Sequence, residues 1–259
     1  VPHLLGQGSH AVRLDWGLTG AVAAGADVSV IVDVLSFSTT VTVAVGRGTR
    51  VYPSPWAGER AQALALRHGA KLAVGRLEAT RGSVVAPSLS PATFLTRDPV
   101  ERLVLPSPNG SAIAAALSEE RSRVVVGCLR NARAVAVHIG HALDRGASVG
   151  VIAAGERWSE DGTLRPALED HLGAGAILSH LAALGHGHRF SPEAESAATL
   201  FGASLGALDR LIHGCVGGRE LTAMRFGDDV AIAAALDSTA TVPVLRDGAF
   251  VDAGEASHG

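Results

Sequence analysis

The stretch that most constrains this chain is Val28-Ser29-Val30-Ile31-Val32-Asp33-Val34-Leu35-Ser36-Phe37-Ser38-Thr39-Thr40. An apolar, β-branched run ends in one acid and a hydroxyl cluster, then passes into Val41 to Val45 with helix-compatible spacing. The pattern predicts a buried strand that delivers Asp33 to its C-terminal end, followed by a helix N-terminus. A buried carboxylate is costly unless it is paired, hydrogen-bonded or bound to a metal. The exposed N–H groups of a helix start suit an anion such as phosphate. Acid beside anion cradle suggests a metal-assisted phosphate site. The same residues also describe a capping Asp next to an ordinary Ser/Thr cap, and this segment alone leaves both readings open.

The flanking sequence repeats the motif of strand then helix. Strands are expected over 10–16, 49–54, 71–74, 102–105, 124–126 and 149–154, and helices over 36–47, 57–68, 110–118 and 131–143. Such alternation predicts an α/β fold, a layered α/β/α arrangement around a mixed, largely parallel sheet. Ligands of such sheets gather outside the carboxyl ends of strands. Here those ends carry Asp33 to Ser36, Ser107-Pro108-Asn109-Gly110-Ser111, Gly127 to Asn131, and Ala154-Gly155-Glu156-Arg157. A Pro/Ser-rich stretch over 76–96 reads as a long loop, often a functional feature in a compact domain. Residues 156–165 read as a charged surface loop. Beyond them the C-terminal third turns helical, over 166–184, 193–214 and 219–236, before a short strand at 241–245. Glu169 and Asp170 fall in the first turn of the helix after Pro166, where acids complement the macrodipole. With no repeat and no linker-like composition, residues 1–259 are expected to form a single domain.

Composition narrows the function. A 47% hydrophobic chain with 18% charged residues supplies a large core, and a formal charge of -3 argues against nucleic acid as partner. No apolar run reaches the roughly 18 residues of a membrane span, so no membrane partner is expected. Two cysteines do not make a disulfide framework, which fits a cytoplasmic setting. Lys71 is the only lysine, so lysine-based phosphate loops have no other candidate. His138-Ile139-Gly140-His141 spells a nucleotidyltransferase signature but falls inside an expected helix. Cys215 and Arg219 have three residues between them where a cysteine phosphatase needs five. Position 35 is leucine, whereas haloacid-dehalogenase phosphatases place a second acid there.

The ordered strand-end segments resemble the 2-phosphosulfolactate phosphatase family. The match runs through Asp33-Val34-Leu35 with Ser38-Thr39-Thr40, Asn109-Gly110, Gly127 with Asn131-Ala132, and Ala154-Gly155. It continues through Glu169-Asp170 with Ala174-Gly175, and Asp228-Asp229 to Val242-Pro243. The chain departs from the family at Ser36, where arginine is usual, at Ser107-Pro108 before Asn109, and at Ala153. It departs again in Gly75-Arg76-Leu77-Glu78 and Leu89-Ser90-Pro91. The resemblance implies a Mg²⁺-dependent phosphomonoesterase acting on a small anionic 2-phospho acid. It implies Asp33, Glu169 and Asp170 as metal ligands or acid/base groups. Ser38, Thr39, Thr40, Asn109, Gly110, Ser111 and Asn131 are expected to donate to phosphate oxygens or orient the substrate. Arg76, Arg81 and Arg130 are candidates for its carboxylate or sulfonate end. A family member that has lost catalysis and binds an anionic metabolite is the alternative, and the Ala/Leu-rich C-terminal third offers a face for a homodimer.

Overall fold

The computed structural model describes residues 7–76, 79, 87–96 and 98–255. Eleven strands appear among them, nine in one sheet ordered β1-β7-β2-β6-β10-β11-β3-β5-β4. These are β1 (Val12–Trp16), β2 (Val28–Val32), β3 (Arg50–Ser54), β4 (Lys71–Leu72), β5 (Arg102–Pro106) and β6 (Arg123–Gly127). The sheet is completed by β7 (Val149–Ala153), β10 (Pro243–Arg246) and β11 (Ala249–Asp252). A separate hairpin joins β8 (Glu156–Arg157) to β9 (Leu164–Arg165).

Five of the eight pairings in the large sheet are parallel: β1–β7, β2–β7, β2–β6, β3–β5 and β4–β5. The antiparallel hairpin β10–β11 stands between the two parallel blocks, touching β6 through Val244 opposite Val125 and β3 through Phe250 opposite Val51. The expected α/β class with a mixed, mostly parallel sheet is therefore what the chain adopts.

Strand β2 lies at the centre of the first block and is buried along its whole length. Val28, Val30 and Val32 point to one face and Ile31 to the other, the period of two that a strand imposes. On the first face pack α6 (Ala132–Asp144), α7 (Leu168–Leu181) and α8 (Pro192–Ser204). On the second lie α1 (Gly17–Ala24), α2 (Phe37–Val45) and α5 (Gly110–Glu119). A smaller cluster under α3 (Glu59–His68) joins Tyr52, Ala61, Ala65 and Val104. Helices on both faces explain why β2 and β7 read as near-continuous apolar runs.

Several expectations change in detail. Helix α1 was not expected; it has only eight residues and two of them are glycine, so its pattern is too short to register. The described part of the stretch at 76–96 holds a short helix, α4 (Pro91–Thr96). The surface loop at 156–165 is a hairpin. The expected helix at 193–214 breaks after Ser204 into a 3-10 turn and α9 (Leu208–Gly214). The one at 219–236 begins earlier and divides at Arg225, whose φ of 68° no helix tolerates, into α10 (Val216–Ala223) and α11 (Gly227–Ala234). Strand β11 follows a turn at Asp247 and Gly248, both with positive φ, and was missed. No helix among the described residues is long and apolar enough to cross a membrane.

Candidate active site

Asp33 follows the last residue of β2 and is 7% exposed. The chain turns sharply after it, through a cis peptide between Leu35 and Ser36, into α2. The turn is fastened by the acid itself: Asp33 Oδ1 accepts the Phe37 N–H at 3.0 Å, and the Asp33 carbonyl accepts the Ser38 N–H at 2.8 Å. The hydroxyl cluster completes the fastening. Ser38 Oγ accepts the Asp33 N–H and donates to Ile31 O, Thr39 Oγ1 donates to Val34 O at 2.7 Å, and Thr40 Oγ1 donates to Leu89 O. Ser111 likewise donates to Leu105 O at 3.0 Å. Each of the four hydroxyls of Ser38, Thr39, Thr40 and Ser111, expected at the substrate, is directed at a backbone carbonyl in this structure and so ties the framework of the site together.

Three other chain segments converge on Asp33. The first turn of α7 supplies Glu169 and Asp170, each 3% exposed. Asp170 clasps two strand ends, accepting the Val34 N–H at 2.7 Å on Oδ1 and the Gly155 N–H at 2.8 Å on Oδ2. Close approach of α7 to β2 requires Gly173, because a Cβ there would stand 2.6 Å from Val34 Cγ2. The end of β5 brings Asn109 and Gly110. Gly110 has a steric reason: a Cβ would overlap the Phe37 ring, so its absence lets the starts of α2 and α5 meet beside Asp33. The end of β7 brings Glu156, whose Oε2 accepts the Asn109 Nδ2–H at 3.1 Å. Asp33, Glu169 and Asp170 are thus neighbours in one buried cluster, although 136 residues separate Val34 from Asp170.

Arg76 brings positive charge to Asp33. Its guanidinium donates to Ser36 Oγ through one terminal nitrogen and to Asp229 Oδ2 through Nε at 3.3 Å. The other arginine candidates differ. Arg130 turns toward the C-terminal end of α11, donating to Ile232 O at 2.8 Å, where the helix dipole favours a cation. Arg81 lies outside the described residues. Asn131, fully buried, accepts the Cys128 N–H and donates to the carbonyls of Val126 and Thr241, so its amide holds the β6 turn to the strand entering β10. Asn131 and Arg130, both expected at the substrate, thus have framework partners in this structure.

The electrostatics follow from packing acids together. Burial pushes Asp33 up from 3.8 to about 7, the charge of Glu156 adds to the rise, and the N–H groups of Phe37 and Gly110 and the charge of Arg76 oppose it. Burial also holds Asp170 well above the ordinary range, with Asp33 and then Glu169 adding repulsion. Glu156 is raised by burial, against the Asn109 bond, with a further push from Glu169. Cys215 lies against Glu169, and burial with that neighbouring charge pushes its thiol up to about 12, so it stays protonated. Glu169 itself rests on the first turn of α10, where a Cβ on Gly217 would collide with Oε1.

Asn109 and Glu156 also form the inner wall of an open cavity of about 320 Å³. Trp16, Leu18, Ile113 and Leu164 line its apolar side. Glu156 is the site residue that sequence reasoning left in a surface loop. Its signal was its place directly after Ala154-Gly155 at a strand end, beside three other such ends that carry polar groups.

Among the described residues no three His, Cys, Asp or Glu side chains close on one point tightly enough to hold a metal unaided. Hard, all-oxygen donors crowded at raised pKa nevertheless fit magnesium, which takes one or two carboxylates and completes its shell with water and phosphate oxygens. Such an ion would relieve the repulsion among these acids.

Repelling carboxylates, one arginine and two helix starts at the carboxyl ends of parallel strands are parts suited to phosphoester chemistry. A search of curated proteins finds no match to the chain. A family model for 2-phosphosulpholactate phosphatase matches residues 20–248. That span runs from α1 to the β10–β11 turn and takes in every residue placed around Asp33, and the chain belongs to the 2-phosphosulpholactate phosphatase family.

Proposed function

We propose that this protein is a magnesium-dependent phosphatase that hydrolyses the phosphomonoester of a small anionic 2-phospho acid, 2-phosphosulfolactate or a close relative. The observation that carries the reading is Asp33, buried at a strand end and pushed up to about 7, with the acids of α7, Glu156 of β8 and Arg76 around it. Asp33 and Glu169 would hold the magnesium ion, with Asp170 bracing the two strand ends between them. When bound, the ion stabilises charge on the phosphoryl oxygens. The guanidinium of Arg76 and the first-turn N–H groups of α5 bind the anionic groups of the substrate. Glu156, whose hold on a proton is strengthened by burial, faces the cavity where the organic part of the ester fits. It delivers that proton to the ester oxygen as the P–O bond breaks and water takes up the phosphoryl group as inorganic phosphate, while Asn109 fixes the carboxyl's orientation.

The test is phosphate release from a panel of phosphorylated hydroxy acids, with magnesium or with EDTA. Magnesium-dependent release by the wild-type protein, lost by at least about 100-fold in Glu156→Gln, is the expected result. Thermal stabilisation by the same compounds with no phosphate released would instead identify a binder of anionic metabolites. Undiminished release by Glu156→Gln would remove that residue from the chemistry.

A further inference from the structure

We propose that Asp229 is a positioning residue that presents the Arg76 guanidinium to the anionic substrate. The inference rests on the reading that Arg76 meets the substrate's anionic groups, and adds how a flexible arginine is held ready to do so.

Asp229 lies in the first turn of α11, 153 residues after Arg76, and its side chain is 1% exposed while that of Arg76 is 16% exposed. Burying a carboxylate this completely is unfavourable unless its lone pairs are met. Two are met by the protein framework: Oδ1 accepts the Ser90 hydroxyl at 2.6 Å and the Ala92 N–H at 3.2 Å. Those bonds fix Asp229 to the start of α4 and turn Oδ2 toward Arg76 Nε.

The guanidinium is then held from three directions. Asp229 takes Nε, Ser36 Oγ takes one terminal nitrogen, and the Phe226 ring lies 5.7 Å from Cζ. Among the described residues nothing accepts from the other terminal nitrogen. Ser36 is three positions from Asp33, so this anchorage sets the guanidinium beside the acid at the end of β2, and its charge reaches Asp33. An arginine loses much rotamer freedom when it grips a ligand. Fixing the side chain beforehand removes that loss from the binding step, which is how preorganisation raises affinity. A partner needed only for stability would not have to face a guanidinium that acts on Asp33.

The decisive variant is Asp229→Asn in the full chain. The amide keeps an oxygen for Ser90 and Ala92 and turns an N–H group toward Nε, so the pair with Arg76 is lost specifically. KM for a hydrolysed phosphoester and the inhibition constant of inorganic phosphate should both rise about tenfold, with kcat changed less than about threefold. Arg76→Gln should produce a similar rise, and the double variant should be no weaker than Arg76→Gln alone. If Asp229→Asn does not fold, Ser90→Ala, which loosens Asp229 without touching the guanidinium, should raise KM about threefold. Unchanged KM and phosphate inhibition in Asp229→Asn, or losses that multiply in the double variant, would overturn the proposal. Calorimetric titration with inorganic phosphate separates it from the functional reading. Phosphate bound tenfold more weakly by Asp229→Asn, in a protein that hydrolyses no ester, would uphold the positioning role and refute the phosphatase. Equal phosphate affinity in an active enzyme would refute the positioning role alone.

Discussion

Replacing Asp33 with asparagine should stabilise the metal-free protein at pH 8 while removing its turnover. In the fold Asp33 keeps its proton up to about pH 7, whereas the unfolded chain loses it near 3.8. Between those values the unfolded chain binds fewer protons, so stability falls as pH rises through this window and stays reduced above it. A shift of that size corresponds to roughly 4 kcal/mol at about 1.4 kcal/mol per tenfold change in acidity. Asp170 can carry the proton instead, so we expect about 2–4 kcal/mol in practice. Asparagine is close in shape, stays neutral and retains an oxygen for the Phe37 N–H. In EDTA at pH 8 its unfolding midpoint should lie roughly 5–10 °C above that of wild type, and the two should converge toward pH 4. Magnesium should raise the wild-type midpoint and leave that of Asp33→Asn unchanged. Thermal melts at pH 4, 6 and 8, with and without the ion, provide the comparison. A variant less stable than wild type at pH 8, or a gain independent of pH, would refute the argument that the folded protein carries electrostatic strain at this carboxylate.

Two further substitutions separate framework from site. Gly110→Ala places a methyl group against the Phe37 ring and should destabilise the fold by about 1–3 kcal/mol in urea melts, with loss of turnover as α5 moves off α2; wild-type stability would show that the helix starts are not packed this tightly. Asn131→Leu leaves the Cys128 N–H and the Val126 and Thr241 carbonyls without their partner and should lose about 2–3 kcal/mol of stability with KM unchanged; a raised KM at unchanged stability would return Asn131 to the substrate.

The strand with Asp33 at its end was legible because a short, β-branched run interrupted by a single serine favours burial on both faces, which leaves the acid at its end. The acids of α7 were legible as a helix start, and their meeting with Asp33 was what the family resemblance implied. Single residues told less. Serine and threonine after Asp33 look alike whether their hydroxyls bind phosphate or the chain's own carbonyls, and only coordinates show Ser38 turned to Ile31 and Thr39 to Val34. Glu156 was hidden by its charged neighbours, which lie on a hairpin whose tip is exposed while its base is drawn into the pocket. The tie between Arg76 and Asp229 spans 153 positions and has no local pattern to betray it.

The hairpin of β10 and β11 has a consequence for how the protein is made. The two parallel blocks of the large sheet meet only through these residues, which a ribosome adds after every other strand of the sheet. Until then the growing polypeptide holds two half-sheets, each with an open inner edge facing a gap that no earlier segment fills. Nascent chains stalled before residue 243 should therefore recruit edge-binding chaperones, and completion of the fold should be a late, cooperative event rather than a gradual one.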